Sequence, residues 1–114
     1  MTSPLGLEFP IAKAEYLLNH TTASGEGGDK RKFWHEVMGF QSAEDIREAI
    51  LAEVSLDRLQ PQGQNAYGDR LSVVILVTGP SGVSWRIRTA WIVLFGETVV
   101  RFVTAVPEQY GRQQ

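Results

Sequence analysis

The fold is decided by residues 70–94, RLSVVILVTGPSGVSWRIRTAWIVL. The two ends of this stretch, Arg70 to Thr78 and Val83 to Leu94, are rich in Val, Ile, Leu and Trp, which is typical of β-strands. Between them lies Gly79-Pro80-Ser81-Gly82, whose residue types favour a tight turn. The stretch therefore predicts two long strands that pair as an antiparallel hairpin.

The residues after this hairpin continue the same pattern. A second turn, Phe95-Gly96-Glu97-Thr98, leads into a third strand from Val99 to Val106, and Pro107 is expected to end it. The tail, Glu108 to Gln114, is expected to be frayed. Leu5 to Phe9 can add a short edge strand, so we expect an antiparallel meander of three to four strands.

Helical signals lie upstream of these strands. We predict helices near residues 11–19, 30–38 and 43–54, and the third begins with a capping-box-like sequence, Ser42-Ala43-Glu44-Asp45. Residues 60–65, QPQGQN, show no apolar period and are expected to be a connector.

The predicted fold class is α+β, in one domain that spans residues 1–114. The N-terminal helices, about residues 10–54, should pack on one face of the C-terminal antiparallel β-meander, about residues 70–107.

The turns also predict which side chains share a face of the sheet. If Pro80-Ser81 and Gly96-Glu97 are two-residue loop centres, Thr89 lies beside Ser72 and Thr104. One face then carries the following residues: Val74, Leu76, Trp85, Ile87, Thr89, Trp91, Val93, Val100, Phe102 and Thr104. The opposite face carries Arg86, Arg88 and Arg101 among smaller side chains. Helices are expected to cover the aromatic face, because Trp and Phe bury the most apolar area.

Composition excludes several classes of function. The chain has no cysteine, so disulfides and zinc–thiolate or iron–sulfur sites are excluded. A net charge of −2 argues against a polybasic nucleic-acid binder. There is no apolar run of membrane-spanning length and no signal-peptide pattern, so we expect a cytoplasmic protein without membrane contact. No metal or cofactor is expected, because the histidines and carboxylates match no standard ligand spacing.

Two histidines are candidates for proton transfer. His20 follows the first predicted helix beside a glycine-rich segment, where an imidazole can act as acid or base; a surface histidine favourable to the helix dipole is the alternative. His35 lies in the second predicted helix and is expected on its wet face.

Basic residues and threonines are candidates for phosphate binding. Lys30-Arg31-Lys32 opens the second predicted helix, and Arg86 and Arg88 alternate along one strand, so both project from the same face. The arginines can instead pair with carboxylates of neighbouring elements. Thr89 and Thr104 can orient a phosphate or a water, or can simply contact each other across strands.

Several short sequences resemble a family of small uncharacterised bacterial domains. They include Tyr16-Leu17-Leu18-Asn19-His20, Thr78-Gly79-Pro80-Ser81-Gly82, Arg88-Thr89-Ala90-Trp91-Ile92-Val93 and Arg101-Phe102-Val103-Thr104-Ala105-Val106-Pro107. The layout of helices followed by a meander ending in V-T-A-x-P also resembles the barnase–EndoU–colicin–RelE group of metal-independent toxin ribonucleases. The resemblance to the uncharacterised family covers about residues 10–107.

The resemblance implies roles for particular residues. His20 would be the acid/base, Lys30 a phosphate or acid/base group, and Arg88 the transition-state cation. Thr89 and Thr104 would position the phosphate, and Arg86 and Lys32 are further candidates for substrate binding. The predicted register sends Arg88 and Thr104 to opposite faces, so only a β-bulge or a position at the rim of the sheet can bring them together; without either, the analogy fails at this point.

The function expected on this basis is that of a toxin-like endoribonuclease, which needs no cofactor and drives attack of the ribose 2′-OH on phosphate. Its partners would be RNA and an immunity or antitoxin protein. The alternative is a non-catalytic protein-binding module, which offers the Arg86 and Arg88 face or a sheet edge to a protein.

Overall fold

The computed structural model describes residues 6–19 and 30–113. Within these residues, five strands form one sheet in the spatial order β1-β5-β4-β3-β2. The strands are β1 Gly6–Glu8, β2 Gln60–Gln64, β3 Gly68–Thr78, β4 Ser84–Leu94 and β5 Val99–Gln113. The helices are α1 Ile11–Asn19, a π-helix Lys32–Val37, α2 Ala43–Glu53 and a short 3₁₀ turn Leu56–Arg58. No helix in this part of the chain is long and apolar enough to cross a membrane.

The predicted α+β class with N-terminal helices is confirmed, but the sheet has more strands than expected. β1 is the predicted short edge strand and pairs in parallel with β5. β2 occupies the segment predicted as a connector and pairs antiparallel with β3. All five residues of β2 are exposed at the sheet edge, so this strand needs no apolar alternation and the sequence shows none.

The β3–β4 hairpin corrects the predicted register by one residue. Thr78 pairs with Ser84 and the Gly79 amide donates to the Val83 carbonyl, so the loop has three residues instead of two. Gly82 closes the loop at φ +89°, a left-handed conformation that glycine adopts without strain. Because the loop length is odd, all of β3 shifts by one position relative to β4.

That shift exchanges the two faces of β3. Ile75 and Val77 are buried against the helices, whereas Val74 and Leu76 are 40% and 46% exposed on the other face. The placement of Val74 and Leu76 on the aromatic face was therefore wrong, and Thr89 pairs with Val73 instead of Ser72.

A β-bulge corrects the other half of the predicted register. The β4–β5 turn gives the expected pairing of Trp91 with Phe102, but the next pair is Ala90 with Thr104. Val103 is the extra residue between them. Thr104 therefore leaves the aromatic face and joins the face that carries Arg88.

β5 continues past Pro107, so the expected end of the strand and frayed tail were wrong. Pro107 pairs with Ile87 and Arg112 pairs with Trp85, so residues 108–111 form a bulge opposite Arg86. β1 pairs only with Val99–Arg101, so β5 is an edge strand beyond that point, where proline is tolerated.

The core lies between the helices and the aromatic face, as predicted. Trp91 and Phe102 are 1% and 3% exposed, and the Phe9 ring stacks on Phe102 with centroids 3.9 Å apart. Trp85 is half-buried at one end of this layer, where its ring meets Phe33 edge-on.

The second predicted helix forms as a π-helix, with a Met38 amide that donates to the Phe33 carbonyl. The hairpin loop packs directly on its end, since the Ser81 amide donates to the Met38 carbonyl at 3.0 Å. Gly79 lies so close that a Cβ atom there would overlap the Met38 carbonyl. The loop that sets the β3–β4 register is thus fixed by the helical layer.

Candidate functional site

The candidate site is the face of the sheet that the helices leave uncovered, which we call the open face. Its side chains form cross-strand rows because directly paired residues point the same way. The first row is Arg70, Ile92 and Arg101, and the second is Ser72, Ala90 and Thr104. The third row is Val74, Arg88 and Val106, and Leu76 and Arg86 begin the fourth.

Arg88 occupies the middle of this face. It lines three adjoining depressions of about 360, 250 and 300 Å³, and its side chain is 65% exposed. Its direct neighbours Val74 and Val106 are also exposed. Arg86 projects from the same face, as strand alternation predicts.

A single carboxylate holds both central arginines. Glu108 lies 3.5 Å from Arg86 Nε and 3.4 Å from Arg88 Nη2. The Trp85 indole N–H donates to the Glu108 carbonyl at 2.7 Å and anchors the bulged segment that carries this carboxylate. The structure therefore shows the alternative arrangement for the arginines, in which they pair with a carboxylate.

The two candidate threonines lie on opposite sides of the sheet. Thr104 is half-buried in the second row of the open face, one row from Arg88. Thr89 is fully buried in the core, where its hydroxyl donates to the Val73 carbonyl and accepts from the Trp91 indole, each at 2.8 Å. Thr89 is therefore not exposed to a ligand on the open face.

The candidate lysines and His35 are not on the open face. Lys30 and Lys32 belong to the helical layer, and Lys30 Nζ lies 5.9 Å from the centre of the Tyr16 ring. His20 lies outside the described residues. His35 is half-buried instead of wet, and its Nδ1 has no hydrogen-bond partner among the described residues. The structure thus brings together Arg86, Arg88 and Thr104, but not the lysines.

Both sides of the molecule carry charged side chains. The open face carries four arginines in its rows: Arg70, Arg86, Arg88 and Arg101. The exposed carboxylates of α2, which include Glu44, Asp45 and Glu53, lie on the helical side. Carboxylates hold three of these four arginines, because Glu108 contacts Arg86 and Arg88 while Glu8 and Glu97 contact Arg101, so the positive charge of the open face is largely balanced.

Carboxylates at the edge of the sheet hold Arg101. Its guanidinium lies 2.8 Å from Glu97 Oε1 and 2.6 Å from Glu8 Oε1. The hydrogen bond to Glu97, followed by attraction to Glu8, raises the pKa of Arg101. The same hydrogen bond lowers the pKa of Glu97. Arg70, at the other end of the same row, forms no ion pair within the described residues.

Sequence reasoning missed three kinds of residue on this face. The face on which Ser72 and Arg70 lie can be assigned only when the three-residue length of the β3–β4 loop is known. Gln62 and Asn65 line its largest depression from a segment predicted to be a connector. Glu108 was assigned to a frayed tail. None of these could be found without the strand pairing, although the polar alternation of Arg70 and Ser72 is visible in the sequence.

The described residues contain no cluster of three or more His, Asp or Glu side chains arranged to hold a metal ion. Comparisons with curated proteins and with solved structures each gave no match. A family model, described as a domain of unknown function, DUF6883, matches residues 12–109. This match covers nearly all of both the helical layer and the sheet, so the chain belongs to the DUF6883 family.

Proposed function

We propose that this domain binds RNA on its open face and cleaves it without a metal ion. The observation that carries the proposal is the bulge at Val103, which places Thr104 on the same face as Arg88. Bulges are common next to active sites, where they redirect a side chain. The roles inferred for Arg88 and Thr104 require them to face the same ligand, and an unbulged strand would separate them.

Each group on the open face has a role suited to a phosphodiester. Arg88 can contact two phosphate oxygens with its planar fork and stabilise the charge that develops on them. The Thr104 hydroxyl forms no hydrogen bond within the described residues, so it is available to orient the phosphate. Arg86 adds a second cation beside Arg88.

The reaction would be an internal transfer. The ribose 2′-OH attacks phosphorus, loses its proton to a base, and the 5′-oxygen leaves with a proton from an acid. We assign the acid/base role to His20 by the family resemblance. Lys30 lies in the helical layer, so its proposed role requires RNA to extend around the sheet edge.

The four arginines of the open face also support RNA as the ligand. Cationic side chains clustered on one face attract a polyanion, even when the net charge of the protein is slightly negative. Strand alternation and the rows of the sheet hold these arginines on a rigid framework, which suits a defined phosphate path.

The test is cleavage of a fluorophore–quencher RNA in buffer with EDTA. We expect the wild type to cleave, Arg88→Ala to lower the rate by about 100-fold or more, and His20→Ala to lower it by a similar factor. Arg58→Ala is the matched control, because Arg58 is exposed on the 3₁₀ turn and lines none of the three depressions around Arg88, and it should cleave like wild type. No cleavage by wild type, or equal cleavage by all variants, would refute the proposal.

A second function is favoured by the ion pairs of Glu108. Since this carboxylate already balances Arg86 and Arg88, and Val74, Leu76 and Val106 are exposed around them, the face also suits a protein partner. Expression in bacteria separates the two functions. A toxin-like nuclease should arrest growth and lose this effect with Arg88→Ala, whereas a protein-binding module should leave growth unchanged.

A further inference from the structure

The depression between Arg70 and Arg88 on the open face has the volume of a small-ligand site. It measures about 360 Å³, within the range of small-molecule sites. Ser72 and Ala90 form its floor with short side chains, between rows that carry arginines. Gln62 and Asn65 add polar groups from β2 and the turn that follows it.

The turn after β2 determines what Asn65 can offer to a ligand. Its side-chain oxygen accepts hydrogen bonds from the Tyr67 amide at 2.8 Å and the Gly68 amide at 3.0 Å. These two bonds use both lone pairs of the oxygen. The remaining capacity of Asn65 is its NH₂ group, which donates.

Arg70 and Ser72 complete a fixed pattern of donors and acceptors. Arg70 lines the pocket without an ion pair in the described residues, so its guanidinium fork is free to donate. The Ser72 hydroxyl donates to the Thr89 carbonyl at 3.0 Å, so only its lone pairs remain for a ligand. The pocket therefore offers donors from Arg70 and Asn65, and acceptors from the Ser72 hydroxyl and the side-chain oxygen of Gln62.

We propose that this pocket binds the base guanine, which extends the proposed function by naming a base preference for the RNA. Guanine presents two adjacent acceptors, O6 and N7, and these match the two parallel N–H groups of an arginine. Adenine presents a donor beside its N7, which would face the donors of Arg70 and Asn65. Apolar contact from Ile92 and Val103 is available to the flat face of the base.

Arg88 connects this pocket to the proposed phosphate site. It lines the pocket and also the two neighbouring depressions, so one side chain borders both base and phosphate positions. A guanosine nucleotide seated in the pocket would direct its phosphate toward Arg88 and the second-row residue Thr104. The inference rests on the proposed function in one respect only, which is that the bound base belongs to an RNA chain.

The test is binding of the 3′-monophosphates of guanosine, adenosine, cytidine and uridine, measured by calorimetry. We expect guanosine monophosphate to bind at least about fivefold more tightly than the other three nucleotides. This ratio is the smallest discrimination that a good bidentate contact between arginine and guanine provides. Arg70→Lys keeps the charge but removes the fork, so this preference should fall to about one while weak binding of the other nucleotides persists. Arg58→Lys is the control and should keep the preference.

Equal affinity for the four nucleotides, no binding of any, or a preference that survives Arg70→Lys would overturn the base pocket. These probes contain no phosphodiester to cleave, so the result is independent of catalysis. A guanosine preference without RNA cleavage would refute the ribonuclease and leave the pocket standing. RNA cleavage without a guanosine preference would refute the base pocket and leave the ribonuclease proposal standing.

Discussion

Replacing each of the two threonines by valine tests the bulged register directly. Thr89 is fully buried, and Thr89→Val keeps the volume but removes the hydroxyl that joins Trp91 to Val73. The Trp91 indole, 1% exposed, would lose its hydrogen-bond acceptor. An unpaired buried donor costs about 1–3 kcal/mol, and loss of the bond to Val73 adds about 1 kcal/mol.

The gain from burying a methyl group in place of the hydroxyl offsets about 1 kcal/mol of this cost. We therefore expect Thr89→Val to lower the free energy of unfolding by about 2 kcal/mol, with a fall in Tm of roughly 10 °C. Thr104→Val is the matched control. Thr104 is half-buried on the open face with no hydrogen bond in the described residues, so its change should stay within about 0.5 kcal/mol.

Urea denaturation followed by tryptophan fluorescence and circular dichroism gives both values. Without the bulge, Thr104 would lie in the core beside Thr89, and the two variants would lose similar stability. Equal losses, or a loss below about 0.5 kcal/mol for Thr89→Val, would refute the register and the packing argument together.

Three further predictions follow from single contacts. Glu108→Gln should tighten RNA binding and steepen its salt dependence in fluorescence anisotropy, because it frees two guanidinium groups; unchanged binding would contradict this. Arg101 lowers the Glu97 pKa, so this pair stabilises the fold above the unfolded pKa and loses that effect as pH falls through the folded pKa. Glu97→Gln should thus differ from wild type in urea titrations at neutral pH and converge with it in acid; a constant difference would count against the pair. Gly79→Ala should lower Tm in calorimetry, because its Cβ overlaps the Met38 carbonyl, and an unchanged Tm would show that this approach is not tight.

Features that depend on neighbouring residues in the chain were predictable. The strands around residues 70–78 and 83–94 and the helices α1 and α2 follow from apolar periodicity and capping, which act locally. Burial of Trp91 follows from its size. The shared face of Arg86 and Arg88 follows from strand alternation alone, since residues two apart in a strand always point the same way.

The candidate site was predictable only in part, because its assembly depends on how strands pair. Arg88 was identified from sequence, but its partner Glu108 was not, since a bulged segment of β5 brings it there. Asn65 and Arg70 form one pocket through β2, an edge strand without an apolar pattern. Contacts of this kind join residues whose spacing in the chain does not indicate that they are close in the fold.

By itself, the sequence determined the α+β composition of this protein, the aromatic core and the arginine pair on one strand. Tertiary structure alone decided which side chains of the other strands face the helices and which lie on the open face. One additional loop residue at Gly79–Val83 reversed the faces of β3, and one additional residue at Val103 moved Thr104 from the core face to the open face. The physical reason is the two-residue period of a strand: a single inserted residue inverts every side chain beyond it, and only packing against the helices selects between the two registers.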